Sequence, residues 1–340
     1  MAANEQRNRV VVIAEIGVNH NGSLALAKEL VTRCVEVGAD YAKFQTFIAK
    51  DLASENAPVA NYQKNSFAGE RQVDLLSLLE LSEADFEELV AHCASEGIGF
   101  LTTAHDSGSA AFVMGLGSDF IKVPSGDVTN YPFLRLVSQQ HTPVLLSTGA
   151  SRADEALQAI EVLESGGLSR SRITVMQCTT EYPAPLEEAN LLAMVEMGKE
   201  WGVSVGYSDH TAGQDAAVAA AALGATVIEK HITLDRDMKG PDHAASLEPA
   251  EFSEMITAIR QVEKALGGPA KVVTRAEERN RDVIRKSIVA TVRIEVGELF
   301  SSENLGVMRP GTGLSPMRWP QLIGQVAHRS YGPSDMIDLP

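Results

Sequence analysis

Cysteine is scarce in this chain: Cys34, Cys93 and Cys178 are the only three in 340 residues, scattered and odd in number. Without paired spacing they form neither a disulfide framework nor a metal-ligand motif, and they point to a reducing, cytoplasmic compartment. A basic-then-apolar opening is also lacking in MAANEQRNRV, so no secretory leader is expected. Long apolar runs are missing, and none approaches the ~20 residues of a membrane span. Positive charge is short too, since 29 Lys+Arg stand against 45 Asp+Glu for a net −16. Such a surface repels phosphate backbones and anionic lipid, which argues against nucleic-acid and membrane partners. If the substrate is an anion, cations must be placed locally to receive it. Nor is there a glycine-rich phosphate loop, and the first strand–helix turn, EIGVNHNG, is not a dinucleotide fingerprint.

What the chain does have is alternation. Hydrophobic residues make up 44% and charged residues 22%, ordinary values for a soluble globular protein. Apolar runs of strand length occur at 10–14, 41–45, 98–103, 119–123, 143–147, 172–177, 202–207 and 225–231. Helical patterns lie between them. Residues 23–37 open on Ser23, a good N-cap, and stop at Gly38; residues 82–96 open on Ser82, with Asp85 at the capping-box position, and stop at Gly97. Residues 151–165 and 187–200 read similarly, an alanine-rich stretch at 214–223 suits a thin helix close to a sheet, and residues 249–266 open with Pro249. Eight strand–helix units in one stretch predict an α/β fold, a (β/α)8 TIM barrel, in preference to an open doubly wound sheet. The pattern assigns residues 1–268 to the barrel, 269–285 to a charged linker or exposed helix, and 286–340 to a small β-rich domain. Charge divides with it: residues 281–340 carry seven basic and six acidic side chains, +1, leaving 22 and 39 in the first 280, −17.

Barrel enzymes gather their reactive groups at the carboxyl ends of the strands. Here those ends carry Glu15; Lys43 and Gln45; Thr102 and Thr103; Lys122, then Ser125; Ser147 and Thr148; Gln177; Ser208, Asp209 and His210; and Glu229 and His231. Lys43 and Lys122 interrupt apolar strands, where an ammonium needs an anionic partner. Together with nearby hydroxyls they make either a phosphate and carboxylate pocket or internal pairs with Glu15 or Glu229. His210 and His231 end adjacent strands, as a divalent-metal pair, a general-acid pair, or simply hydrogen-bonded histidines. Glu15 beside them is a candidate base. Asn19-His20-Asn21-Gly22 reads equally as turn chemistry or as a functional loop. His105 reads as a loop histidine and Cys178 as a small buried residue, while His20, His92, His141 and His328 have no evident partners.

Several longer motifs make the chain recognisable. AEIGVNHNG at 14–22, AKFQT at 42–46, IKVPSGD at 121–127, LLSTG at 145–149, GYSDHT at 206–211 and EKHITLDRDMKGPDHAASLEP at 229–249 resemble, in order, the sialic acid synthase family. RKSIVA at 285–290 and RPGTGLSP at 309–316 resemble that family's antifreeze-like (SAF, β-clip) domain. The resemblance implies a metal-dependent condensation, with Mn2+ or Mg2+, of phosphoenolpyruvate and the open-chain aldehyde of an N-acylated hexosamine. The implied activity is N-acetylneuraminate synthase acting on N-acetylmannosamine. The alternative is a diacetyllegionaminate or other nonulosonate synthase taking a different sugar. By the same resemblance His210 and His231 would hold the metal, and Glu15 would lie near the reacting carbons. Lys43, Thr103, Lys122, Ser125, Ser147 and Ser208 would bind phosphoenolpyruvate. Tyr182 and Asp242 would contact the sugar, with Asp127 nearby, and Arg309 would reach its N-acyl group from the partner chain of a domain-swapped homodimer. Thr180 stands where family members often carry Asn, and the stretch 55–75 is expected to tune sugar preference. An inert carbohydrate-binding barrel is the non-enzymatic alternative, and the intact Glu15, Lys43, Lys122, His210 and His231 speak against it.

Overall fold

The computed structural model describes residues 9–58 and 71–339, so most of the 55–75 stretch lies outside the described residues. Eight parallel strands close into a barrel in sequence order. They are β1 Val11–Gly17, β2 Tyr41–Thr46, β3 Gly99–Ala104, β4 Ile121–Val123, β5 Val144–Ser147, β6 Ile173–Cys178, β7 Ser204–Asp209 and β8 Val227–His231. The expected TIM barrel is therefore present. Its interior follows the two-residue period of a strand. Ile13, Leu101, Leu145, Met176 and Val227 pack as an apolar floor in the lumen. Two residues further along the same strands, on the same face, come Glu15, Thr103, Ser147, Cys178 and Glu229. Register sets neighbours at that level: Glu15 pairs with Lys43 and with His231, Thr103 with Lys122, and Ser208 with Glu229.

The outer ring comprises α1 Leu24–Glu36, α2 Ala49–Leu52, α3 Gln72–Leu79, α4 Glu83–Glu96, α5 Ser107–Gly115, α6 Tyr131–Ser138, α7 Ala153–Ser165, α8 Leu191–Trp201, α9 Asp215–Ala222 and α10 Pro249–Leu266. Ser23 and Ser82 cap α1 and α4 by accepting from the amides of Leu26 and Asp85, and Gly97 ends α4 in the left-handed region. In α9 the small side chains Ala216, Ala217, Ala220 and Ala221 are buried, which lets the helix lie close to the strands. α5 and α6 follow β3 and β4, where eight strand–helix units require helices that the patterns above do not mark. Asp106 and Asn130 cap the two helices, and Pro132 occupies the first turn of the second, where a missing N–H costs nothing.

The chain divides into two compact units, Met1–Gly267 and Gly268–Pro340. The second unit begins with α11 Arg275–Ile284, an exposed helix with a Thr274–Glu277 capping box and no buried residue. Beyond it, β9 Ser287–Ala290 pairs antiparallel with β10 Leu305–Met308, and Ile288, Ile294, Phe300, Leu322, Tyr331 and Ile337 form a core of their own. Among the described residues no helix is long and apolar enough to cross a membrane.

Candidate active site

A cavity of about 320 Å3 opens at the carboxyl ends of the barrel strands. Its base is a chain of alternating charges, all buried. Lys43 Nζ lies 2.7 Å from Glu15 Oε2 and 3.6 Å from Glu229 Oε2, and donates to Thr103 Oγ1 at 3.1 Å. Lys122 Nζ donates to both Glu229 oxygens, at 2.9 and 3.1 Å. Ser208 Oγ donates to Glu229 Oε1 at 2.9 Å, and Gln45 Nε2 to Glu15 Oε1 at 3.1 Å. An isolated buried ion costs several kcal/mol, so each charge here needs its opposite. Burial opposes the Lys43 ammonium, but Glu15 and Glu229 outweigh it and hold the amine protonated. Burial likewise opposes charge on Glu229, yet Lys122 and Lys43 keep it well below the usual carboxylate range. Glu15 is pushed upward, first by burial and with Glu229 adding to it. The two lysines thus have the internal partners weighed above, and both still line the cavity.

The imidazoles of His210 and His231 stand with ring centroids 5.7 Å apart. Burial pushes His210 down to about 4 and holds His231 well below its ordinary value, so both rings are neutral. His210 Nδ1 lies 2.6 Å from the Thr179 carbonyl oxygen, which fixes that nitrogen as the donor and leaves Nε2 a lone pair. His231 Nδ1 is buried without a hydrogen-bond partner among the described residues, 3.7 Å from Asp242 Oδ2. Burial, then the proximity of Glu15, pushes Asp242 up to about 7. Two neutral imidazoles, one oriented from behind by a carbonyl, are the donor set a divalent cation takes. Among the described residues no group of three or more His, Cys, Asp or Glu side chains has metal-binding geometry, so the protein offers a pair of ligands, not a closed cage.

Most residues expected from the sequence meet here. Glu15, Lys43, Thr103, Lys122, Ser125, Asp127, Ser147, Tyr182, Ser208, His210 and His231 line the cavity, and Asp242 abuts it through His231. Ser147 Oγ is buried without a partner among the described residues. The Tyr182 ring packs 4.2 Å from the His210 ring, centroid to centroid. Arg309 belongs to the second unit, where its Nε donates to the Ile284 carbonyl at 3.2 Å. Thr180 lines the cavity as well, and Cys178, buried as expected, sits 3.2 Å from Ser125 Oγ. Three roles were left open or unseen by the sequence reading. Glu229, weighed above as one internal partner of the lysines, is the hub of the charge chain. His105, read as a loop histidine, lies half-buried against the cavity with its Nε2 buried, and desolvation followed by the two lysines pushes it down to about 3. The turn Asn19–Gly22 is a brace: Asn19 Nδ2 donates to the Ile232 carbonyl and to Ser246 Oγ, Ser246 Oγ donates to the Asp242 carbonyl, and Asn21 Oδ1 lies 3.3 Å from His243 Nε2. It holds the loop that carries Asp242. His328, given no partner above, lies 3.3 Å from Asp338.

Known proteins resemble this chain in sequence and fold. The NeuB family model matches residues 30–271, and the SAF domain model matches residues 285–333. The chain is 43% identical over 330 residues to the N,N'-diacetyllegionaminic acid synthase of Campylobacter jejuni, covering 97% of this chain and 99% of that one. It is 35% identical over 297 residues to the N-acetylneuraminate-9-phosphate synthase of Mus musculus, covering 87% and 82%. The solved structure of the N-acetylneuraminic acid synthetase from Leptospira borgpetersenii superposes with a TM-score of 0.73 at 28% identity, over 81% of this chain and 90% of that one. A barrel with this ordered set of strand-end residues, matched over nearly its whole length by such relatives, belongs to the NeuB family, and the protein is a condensing enzyme of the nonulosonic acid synthase class.

Proposed function

We propose that the barrel condenses phosphoenolpyruvate with the open-chain aldehyde of an N-acylated hexose and with water, giving a nine-carbon 2-keto sugar acid and inorganic phosphate. The observation that carries this reading is the charge chain Glu15–Lys43–Glu229–Lys122 at the base of the cavity, flanked by hydroxyls and by two neutral imidazoles. Lys122 gives two of its three N–H donors to Glu229, which pre-aims a charged amine for a phosphate or carboxylate. Thr103, Ser125, Ser147 and Ser208 are suited to donate to the same anion. Tyr182, Asp127 and Asp242 are suited to the sugar. Holding two reactants in register can by itself remove ~7–11 kcal/mol from the barrier.

His210 and His231 would hold a divalent cation, Mn2+ or Mg2+, and the cation when bound supplies Lewis acidity toward the aldehyde oxygen. The chain's own residues account for the proton traffic. As the enol carbon of phosphoenolpyruvate bonds to the aldehyde carbon, the carbonyl pair passes to the aldehyde oxygen, which takes a proton to become a hydroxyl, and C2, now electron-poor, takes up water. Glu15, pushed upward by burial and held by Lys43 and Gln45, is suited to take that water's proton. The tetrahedral C2 then expels phosphate by C–O cleavage, with Lys43 and Lys122 receiving the anion.

Among sugars, the 43% identity over nearly the full chain to a diacetyllegionaminic acid synthase favours a 2,4-diacetamido-trideoxyhexose. N-Acetylmannosamine is the second reading, supported by the structural likeness to the Leptospira synthetase. Phosphate release measured with each sugar, with and without EDTA, separates them: fast turnover of the diacetamido sugar, lost on chelation, is expected. Turnover of N-acetylmannosamine alone would reverse the assignment, and turnover unaffected by EDTA would refute the His210/His231 metal pair.

A further inference from the structure

Behind the cavity, on the helix-facing side of the barrel, lies a second ion pair that no part of the reaction uses. Lys230 and Asp209 are register neighbours on β8 and β7, both with 0% side-chain exposure. Lys230 Nζ donates to Asp209 Oδ2 at 2.8 Å and to the Thr211 carbonyl at 2.5 Å. Asp209 Oδ1 accepts from the Thr211 amide at 2.9 Å and from Thr211 Oγ1 at 2.8 Å. The setting is apolar, with Tyr207, Ile228, Ala216, Ala217 and Ala220 in one core cluster. None of these groups lines the cavity.

A dry ion pair of this kind adds little stability over a hydrophobic pair of equal volume, so its geometry is the property to explain. That geometry is specific. The two residues bound by Lys230, Asp209 and Thr211, flank His210, and Lys230 itself precedes His231. The His210 carbonyl is held in turn by the Ala184 amide at 2.8 Å, two residues after Tyr182, whose ring packs on His210.

We propose that Lys230 is a positioning residue: its ammonium clamps the chain on both sides of His210 from behind the barrel wall and so fixes where the His210 ring stands relative to His231. The inference rests on the reading of those two histidines as a metal pair. Alternation alone conceals it from the front of the site, because Lys230 points opposite to Glu229 and His231. Orienting groups one layer out from a metal ligand typically change affinity by about 10–100-fold when removed.

The test is the Mn2+ affinity of the full-length protein, measured calorimetrically beside a thermal melt. The double variant K230M/D209N removes both charges and keeps an Oδ1 acceptor for the Thr211 amide and hydroxyl, so it is expected to melt near the wild type yet bind Mn2+ about 10–100-fold more weakly. A merely structural pair would restore both readings together, so a stable double variant with affinity within about twofold of wild type overturns the proposal. Thr211→Val, which keeps the ion pair and drops one donor to Asp209, is expected to weaken Mn2+ several-fold in an intact fold. It decides the matter if the double variant does not fold, since unchanged affinity again overturns the clamp. Wild-type protein that binds no Mn2+ would instead sink the metal pair itself, a distinguishable failure that takes the clamp down with it.

Discussion

Glu15 has one oxygen 2.7 Å from Lys43 Nζ and the other accepting from Gln45, so substitution by an amide keeps its volume and loses its basicity. Glu15→Gln is expected to lower kcat about 10²–10⁴-fold while leaving the phosphoenolpyruvate KM within a few-fold, as for a lost proton acceptor. A variant with wild-type kcat in a phosphate-release assay would remove Glu15 from the proton path. A second prediction concerns acid. Burial pushes both His20 and His243 from 6.5 down to about 4. Between those values the unfolded chain takes up protons that the native state refuses, so stability is present above pH ~6.5 and is lost as pH falls toward 4. Denaturant melts at pH 7 and pH 5 should show the drop, and His20→Gln should make it shallower; identical drops would contradict the assignment. At this scale much was readable from sequence. Lys43 and Gln45, or Glu229 and His231, lie two apart and so share a strand face. Which carboxylate each lysine meets was not readable, because Glu229 reaches Lys122 only across the lumen of a closed barrel, a distance no local pattern encodes.

The elements carry the site through their ends. The turn from β1 to α1 packs so tightly on the end of α3 that a Cβ on Gly22, at φ +73°, would lie 2.4 Å from the Leu78 carbonyl oxygen. Backbone cannot retreat as a flexible side chain can, so Gly22→Ala is expected to destabilise by about 3 kcal/mol, combining left-handed strain with the clash. Because the same turn braces the Asp242 loop through Asn19 and Ser246, the variant should also raise the sugar KM more than the phosphoenolpyruvate KM. A normal melt with unchanged sugar KM would mean the brace is idle. The strands and capped helices were legible in the sequence from alternation and from Ser23, Ser82 and Gly97. α5 and α6 were not, since Gly108 and Pro132 are breakers in the middle of a helix but harmless in its first turn. The Asn19–Gly22 brace was equally illegible, because its partners lie more than 200 residues away.

Across the whole molecule, net charge misdirects. A chain of −16 is proposed to take an anionic substrate, and it manages this with two buried lysines at the base of a cavity rather than through its surface. The second unit has its own core and a charge near neutral, and Arg309, expected to serve a partner chain, lies there. Mixing Arg309→Ala with Lys122→Ala chains should recover activity that neither has alone if the site is shared, up to about a quarter of wild type for one intact site in a randomly mixed dimer; no recovery in the mixture would count against sharing. The claim on which all of this depends is that the cavity joins phosphoenolpyruvate to a sugar aldehyde with loss of phosphate by C–O cleavage. Phosphoenolpyruvate labelled with 18O at the oxygen bridging C2 and phosphorus tests it in one experiment with the diacetamido sugar and, separately, N-acetylmannosamine. The account predicts sugar-dependent release of inorganic phosphate that retains the label; phosphate released without sugar, or label found in the keto acid product, would contradict it.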